Sequence, residues 1–372
     1  MDDSTLADDA AFLADHADVL RLASGDGWVL VSPQLQGRVM TSGFADGEAG
    51  LGFVNRGMIA APPESAAFFN YGGEDRFWFG PEGGPYALYF GDSAERDLDH
   101  WQVPAALHEG AFAVTAKGAA RVAMNRRMQL RNAVGTTFDA EVERTVEVPT
   151  RAEVDLWVGG LPEDAEWVGF RTRNRVTNSG AKAWIPEAGL PCIWILGMFS
   201  PGEDAFVIAP FLTDGPGEPV RDSYFGEVPA DRLRLGSDFA LFRADAQRRS
   251  KIGLLRGRAR DVAGSYDPGS GVLTLVRFGP VDHTARYVDE TWPVDQADPW
   301  SGDVMNSYNH GGPEPFYEIE SSSPALELRP GASHEHAHTT VHLRFAEEAD
   351  LARAVENALG VDWAEVAELA GW

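Results

Sequence analysis

The stretch that decides the fold runs from Asn306 to Phe345, NSYNHGGPEPFYEIESSSPALELRPGASHEHAHTTVHLRF. Within it, YEIE alternates apolar and acidic side chains, and side chains on a β-strand alternate between its two faces. The pattern predicts that Glu318 and Glu320 share one strand face while Tyr317 and Ile319 pack on the other. After the RPG turn, the run HTTVHLRF predicts a long closing strand. The stretch therefore indicates paired strands that carry two neighbouring carboxylates.

His310 lies in the polar, glycine-rich loop just before this strand. Two acids beside a histidine could perform acid/base catalysis. Exposed glutamates on a solvated strand face are also ordinary. The residues alone leave both interpretations of Glu318 and Glu320 open.

The body of the chain has the pattern of many short strands. The whole chain has 40 glycines and 23 prolines, and most of them recur between alternating or apolar runs from Trp28 to Phe345. Helical spacing occurs only near the ends, at residues 4–23, with Ser4 as a plausible N-cap, and at 347–372. We therefore expect a helical segment at 1–27, an all-β domain at 28–345 and a helical segment at 346–372.

The composition limits the partners and the compartment. A net charge of −26 argues against binding to nucleic acid or to anionic membranes, which requires a basic surface. No apolar run has membrane-spanning length, and the acidic N-terminus lacks the features of a signal peptide. The single Cys192 excludes an intrachain disulfide. We expect a cytoplasmic protein.

The closing segment resembles the C-terminal end of galactose mutarotases (aldose 1-epimerases), in which a glutamate precedes LRPG and a strand similar to HTTVHLRF. The resemblance implies a β-supersandwich in which that glutamate is the catalytic base. Glu318 or Glu320 would take this position, and the spacing does not decide between them. Five further runs are similar to a bacterial family of unknown function in the same superfamily: YGGEDRFWFGPEGG, IWILGMF, RRSKIGL, GDVMNSYNHG and PFYEIESSSPAL.

Two positions depart from the mutarotase pattern. Mutarotases carry a sugar-binding histidine before a Gly-Gly pair, where this chain has Tyr71. Their second histidine follows a Thr-Asn pair, where this chain has Ser179. These replacements favour either a chemistry other than mutarotation or a binding function without catalysis.

Several further residues are candidates for a carbohydrate cleft. Glu74 and Arg76 follow a Gly-Gly pair, although Arg76 could simply pair with a neighbouring acid. Glu187 lies in a Pro/Gly loop. Trp292 and Trp300 stand among aspartates on a loop, and aromatic rings with carboxylates commonly line sugar sites. Together with the residues above, the predicted lining is Tyr71, Glu74, Arg76, Glu187, Trp292, Trp300, His310, Glu318 and Glu320.

Charged and histidine-rich runs give weaker signals. The RRSK run at 248–251 could bind an anionic group on a substrate or merely offset nearby acids. The even-numbered histidines of the closing strand could ligate zinc. A polar, exposed strand face explains those histidines equally well, and we expect neither a metal nor another cofactor.

Two functions are compatible with these observations. The first is an enzyme that acts on a small carbohydrate by proton transfer, as an epimerase or a lyase. One of Glu318 and Glu320 would be the base, and His310 or Tyr71 the acid. We favour Glu320 as the base because the SSSP turn should leave it near the rim. The second function is carbohydrate binding or sensing without catalysis.

Overall fold

Strands dominate the protein. The computed structural model describes residues 4–372, of which 37% are strand and 14% helix. Eighteen strands form three sheets, and every strand ladder among these residues is antiparallel. The prediction of an all-β fold is confirmed.

Two of the sheets adjoin each other. The three-stranded sheet has the order β1 (Leu20–Ser24), β2 (Gly27–Ser32), β3 (Arg38–Gly43). The five-stranded sheet has the order β13 (Ser250–Leu255), β16 (Asp303–Asn309), β17 (Tyr317–Ser322), β9 (Cys192–Phe199), β4 (Arg76–Gly80). An isolated bridge between Val39 and Asp75 connects β3 with the start of β4.

The third sheet has ten strands and its longest ladder joins the closing strand to β8. The order is β11 (Leu233–Leu235), β12 (Phe239–Arg243), β10 (Phe206–Pro210), β14 (Val262–Asp267), β15 (Val272–Phe278), β18 (Ser333–Arg344), β8 (Glu166–Asn178), β7 (Thr137–Glu147), β6 (Arg121–Arg131), β5 (Ala113–Lys117). The closing strand lies in the middle of this sheet, as a strand without an exposed edge.

The main core lies between the five-stranded and ten-stranded sheets. Tyr317 and Ile319 of β17 pack there with Val276 of β15 and Val207 of β10. Because side chains alternate along a strand, Glu318 and Glu320 are directed away from this core. The predicted division of the YEIE strand between two faces is therefore confirmed.

Six α-helices and one 3-10 turn complete the fold. Their bounds are α1 (Leu6–His16), α2 (Arg56–Ala60), α3 (Ala105–His108), α4 (Arg151–Val158), the 3-10 turn (Pro186–Ala188), α5 (Glu348–Leu359) and α6 (Trp363–Ala370). The first helix is shorter than its apolar spacing predicts. Thr5, not Ser4, caps it, and Leu20 already belongs to β1.

The interior between the sheets contains a buried polar network. Arg144 donates hydrogen bonds to Asp75 and Asn174, and both charged side chains are fully buried. The histidine face of β18 also lies inside, where Ser321 contacts His336 and His338. The expectation that this face is exposed is wrong, because β18 is central and its face is covered by the opposing sheet.

Candidate functional site

The outer face of the five-stranded sheet forms the floor of a cavity of about 350 Å³, which we call the carboxylate cavity. All five strands contribute a side chain or more to it. These residues are Arg76, Trp78, Trp194, Leu196, Met198, Lys251, Tyr308, Glu318 and Glu320. The cavity exists because alternate residues of five neighbouring strands point to the face opposite the core.

Glu318 forms a buried ion pair with Arg76 from the sheet edge. Arg76 Nη2 donates to Glu318 Oε1 over 2.7 Å, and the Arg76 guanidinium also lies 4.3 Å from the Trp78 ring centroid. Sequence reasoning proposed Glu74 or Asp75 as the partner of Arg76. In the structure Arg76 instead pairs with Glu318, whose strand lies two strands away in the same sheet.

Glu320 is held from two directions. Its Oε2 accepts hydrogen bonds from Lys251 Nζ and from Trp194 Nε1, each over 2.9 Å. Its Oε1 is buried and receives no hydrogen bond from residues 4–372. Glu320 is 1% exposed and Glu318 is 5% exposed, so Glu318 lies nearer the rim.

Burial and the two ion pairs change the pKa values of the charged side chains on the cavity floor. Burial raises the pKa of Glu318 to about 7, with the negative charge of Glu320 also raising it and Arg76 opposing both. Burial lowers the pKa of Lys251, but the charges of Glu320 and Glu82 more than offset this and leave that pKa above its ordinary value. Glu318 is therefore the acid on the floor that titrates near neutrality, beside a fixed cation.

Aromatic side chains and a third carboxylate form one wall. Phe68 and Trp101 line the cavity beside Trp78, and the indole N–H of Trp101 donates to Glu82 Oε1 over 2.8 Å. Burial raises the pKa of Glu82, and the charge of Lys251 opposes this. Flat apolar rings beside carboxylates suit a ligand that has both apolar faces and hydroxyl groups.

His310 also lines the cavity. Its ring stacks on Phe316 with centroids 4.5 Å apart, and Nδ1 lies 3.0 Å from Tyr308 Oη. Burial lowers the pKa of His310, so the ring is neutral at neutral pH. Glu314 is held by the Asn70 and Asn55 amides, which donate over 2.6 and 2.7 Å.

The structure thus brings together Glu318, Glu320, His310 and Arg76 from the predicted set. Two other candidates lie elsewhere. Tyr71 lines a separate groove beside His108 and Phe69, on the other side of the 68–72 segment.

Glu74 is fully buried in the interior. It accepts hydrogen bonds from Ser42 and lies 3.2 Å from His342 Nε2. The glycine pair before it changes the chain direction, and this places Glu74 against β3 instead of in the cavity.

The remaining predicted residues do not line the carboxylate cavity. Glu187 is exposed in the 3-10 turn. Trp300 stacks on Tyr86, with centroids 5.4 Å apart. Trp292 lines an adjoining cavity of about 620 Å³, which we call the second cavity.

Sequence reasoning missed several residues of the cavity. Lys251 was visible only as part of the basic RRSK run. Arg249 and Lys251 are two positions apart and both line the cavity, so the period of a strand could have placed these two basic residues on one face. Glu82 and Trp194 gave no signal, since a loop glutamate and a tryptophan in an apolar strand are both common.

The residues offer little for a metal ion. Within the described part of the chain, one group of three possible ligands lies close together, namely Glu95, Asp97 and His100, and all three are exposed. Exposed acidic groups of this kind are common without an ion. No helix in residues 4–372 is long and apolar enough to cross a membrane.

The sheet order and the cavity define the class of the protein, which has the galactose mutarotase-like fold. The Slr1438 protein of Synechocystis sp. PCC 6803 matches with a TM-score of 0.52 and 12% identity over 88% of this chain and 97% of that one. A candidate aldose 1-epimerase from Escherichia coli K12 matches with a TM-score of 0.50 and 11% identity, over 88% and 99%. A candidate mutarotase, YeaD from Salmonella typhimurium, matches with a TM-score of 0.51 and 11% identity, over 89% and 92%.

Within this class, the chain belongs to a family of unknown function, DUF6786, whose model matches residues 4–370. The predicted membership of a family of unknown function and the predicted galactose mutarotase-like fold are both confirmed. A sequence search of curated proteins finds no match. The structural similarities, at 11–12% identity, establish the fold and not the reaction.

Proposed function

We propose that this protein is an enzyme that acts on a sugar or sugar derivative by proton transfer in the carboxylate cavity. The observation that carries the proposal is the pair Glu318 and Glu320 on the cavity floor, each beside its own cation. Similar folds in a candidate aldose 1-epimerase and a candidate mutarotase support a carbohydrate as the ligand.

Glu318 is the residue to which we assign proton transfer. Its pKa of about 7 places both protonation states within reach near neutral pH, which favours general acid/base catalysis. Neutral His310, which also lines the cavity, is the candidate for the second proton-transferring group.

Glu320 and Lys251 have a different role in this proposal. Lys251 is a buried cation that would stabilise negative charge as it develops on the ligand. The free Oε1 of Glu320 would accept a hydrogen bond from a ligand hydroxyl. Epimerisation at a carbon next to a carbonyl or carboxylate group, or β-elimination, fits this arrangement, because both begin by removing the proton from that carbon.

The first test is a ligand-observed NMR screen of the purified protein against monosaccharides, uronates and 3-keto sugars. For a ligand that is turned over, Glu318→Gln should lower kcat by roughly 10²–10⁴ while binding survives. Glu327→Gln is the matched control, because Glu327 is exposed and pairs with Arg286 outside the cavity. Full turnover in Glu318→Gln would refute the assignment of proton transfer to Glu318, and full turnover in Glu320→Gln as well would refute any acid/base role for the pair.

Carbohydrate binding without catalysis is the second candidate function. It is favoured by the observation that both floor carboxylates are already held by a cation, since fixed ion pairs suit recognition of hydroxyl groups. This function predicts sugar binding without any change of the sugar during prolonged incubation. It also predicts weaker binding, and no other effect, in Glu320→Gln.

A further inference from the structure

The carboxylate cavity continues into the second cavity. Glu82 and Phe225 line both of them. Phe225 is 37% exposed and stands at the junction, with its ring edge-on to Tyr308 of the first cavity and to Trp292 of the second, at centroid distances of 6.0 and 6.5 Å. The two spaces are therefore parts of one elongated cleft.

Glu82 makes polar contacts with residues of both cavities. It accepts a hydrogen bond from Trp101 on the side of the carboxylate cavity and makes a polar contact with Trp292 on the other side. Lys251, which holds Glu320, also lies 5.4 Å from the ring centroid of Tyr224 in the second cavity. A ligand that contacts Glu318 and Glu320 would therefore be separated from the second cavity by the width of one side chain.

The lining of the second cavity suits a sugar ring. Trp292, Phe225 and Tyr224 provide aromatic surface, while Ser223, Gln296 and Asp298 provide polar groups. Its volume of about 620 Å³ and the 350 Å³ of the first cavity lie in the range of about 300–1,000 Å³ usual for ligand sites.

The charges of the second cavity favour an uncharged ligand. Its one cation, Arg221, lies 2.9 Å from Asp289 and 3.4 Å from Asp303, so its charge is already offset. Asp298 adds an exposed negative charge. An anionic group would meet net repulsion here, whereas hydroxyl groups could donate to the carboxylates.

From these contacts we propose that the second cavity is a subsite for a neutral sugar ring, so that the ligand is a disaccharide or longer chain. The inference rests on the proposed function, because it assumes that a sugar occupies the carboxylate cavity. One ring lies over Glu318 and Glu320, and the next ring passes Phe225 and stacks on Trp292.

The test compares affinities for matched pairs of neutral sugars by titration calorimetry. D-glucose is compared with maltose and cellobiose, and D-galactose with lactose. We expect at least one disaccharide to bind about tenfold more tightly than its monosaccharide, as expected for an added ring stacked on an aromatic side chain. Trp292→Ala should remove this gain, so that the disaccharide binds no more tightly than its monosaccharide.

Two further variants separate a local effect from misfolding. Ala297 is exposed and lines the second cavity, so Ala297→Trp should block the cavity without disturbing the core. Val294 is exposed on the same loop but lines neither cavity, and Val294→Ala should behave as the unmodified protein does.

The outcomes distinguish this inference from the proposed function. Monosaccharide binding with no gain for any disaccharide, or an equal loss for both ligands in Ala297→Trp, would overturn the subsite. Failure of all these neutral sugars to bind would overturn the subsite, and failure of the uronates and 3-keto sugars as well would overturn the proposed function.

Discussion

Glu318 and Glu320 are two residues apart on one strand, yet their surroundings differ. The strand continues through Ser322, so Glu320 lies in the middle of the sheet and is almost fully buried. The reason given for favouring Glu320 as the base, its position near a turn and the rim, is therefore wrong. Glu318 is closer to the rim and burial raises its pKa to about 7, which is why we now assign proton transfer to it.

The pH dependence of activity should report the state of Glu318. If Glu318 accepts the proton, it must be ionised, so kcat/KM should rise as the pH increases through about 7. A pH–rate profile measures this, and the rising limb should disappear in Glu318→Gln but remain in Glu327→Gln. A limb centred near the ordinary pKa of an exposed glutamate would contradict the assignment.

Arg144 should be important for stability, although it is remote from the cavity. It forms a fully buried ion pair with Asp75 and also donates to Gly37 O over 2.8 Å. Arg144→Met would leave Asp75 charged and without its cation, which should lower the free energy of unfolding by about 3–5 kcal/mol. Urea denaturation measures this loss.

The control for Arg144 is Arg127→Met. Arg127 is 79% exposed and lies 3.6 Å from Glu141 on the surface, a kind of pair worth about 0–1 kcal/mol. Similar losses of unfolding free energy in the two variants would show that the buried pair contributes no more than a surface pair.

At the level of elements, β18 explains how a polar strand can form the centre of a sheet. His336 Nε2 and His338 Nδ1 both contact Ser321 Oγ of the opposing sheet, whereas the buried His338 Nε2 has no hydrogen-bond partner among residues 4–372. Burial lowers the pKa of His336 to about 3 and that of His338 to about 4. Both rings are therefore neutral in the folded protein under ordinary conditions.

These lowered pKa values make stability depend on pH in a definite direction. Below about pH 6.5 an unfolded histidine binds a proton, whereas folded His336 and His338 do not until the pH approaches 3–4. The contribution of these two histidines to the free energy of unfolding is complete above pH 6.5 and should be lost as the pH falls. The loss should reach about 1.4 kcal/mol per pH unit for each histidine.

Urea unfolding at pH 7, 6 and 5 measures this slope. His338→Gln should reduce the slope by the share of one proton, because glutamine does not titrate. An equal slope in the variant and the unmodified protein would show that His338 is not the group responsible.

At the level of the whole molecule, the C-terminal helices complete the body of the protein. Leu351, Val355 and Val366 pack with Leu273 and Leu343 on the outer face of the ten-stranded sheet. We propose that segment 346–372 is a cover for domain 28–345 and does not fold independently. We propose that segment 1–27 does not fold independently either, since it supplies α1 and also β1 of the three-stranded sheet.

Truncation after Phe345 tests this proposal. It would expose the apolar outer face of the sheet, and large exposed apolar patches promote aggregation. We expect insoluble protein, or a soluble form that binds a hydrophobic dye and elutes as an aggregate in size-exclusion chromatography. Removal of Trp372 alone is the control, because it leaves both helices in place. A monomeric truncated protein with unchanged melting temperature would contradict the proposal.

The sequence by itself determined the features that depend on local periodicity. Alternation gave the two faces of the YEIE strand, and the recurrence of short runs between turns gave the all-β class, because side-chain direction along a strand follows from the backbone. Prediction from alternation was least reliable where packing against a second element buries a strand face that the pattern predicts to be exposed. The histidines of β18 alternate as a surface strand would, and only the opposing sheet buries them.

Only the tertiary structure decided which residues form the site. Glu320 meets Lys251, 69 positions earlier, and Glu318 meets Arg76, 242 positions earlier. These contacts exist because the sheet order β13-β16-β17-β9-β4 places strands from distant parts of the chain side by side. Tyr71 and Glu74 are only five and two positions from Arg76, yet they lie outside the cavity. Strand order follows from the packing of the whole core, and no local pattern in the sequence specifies it.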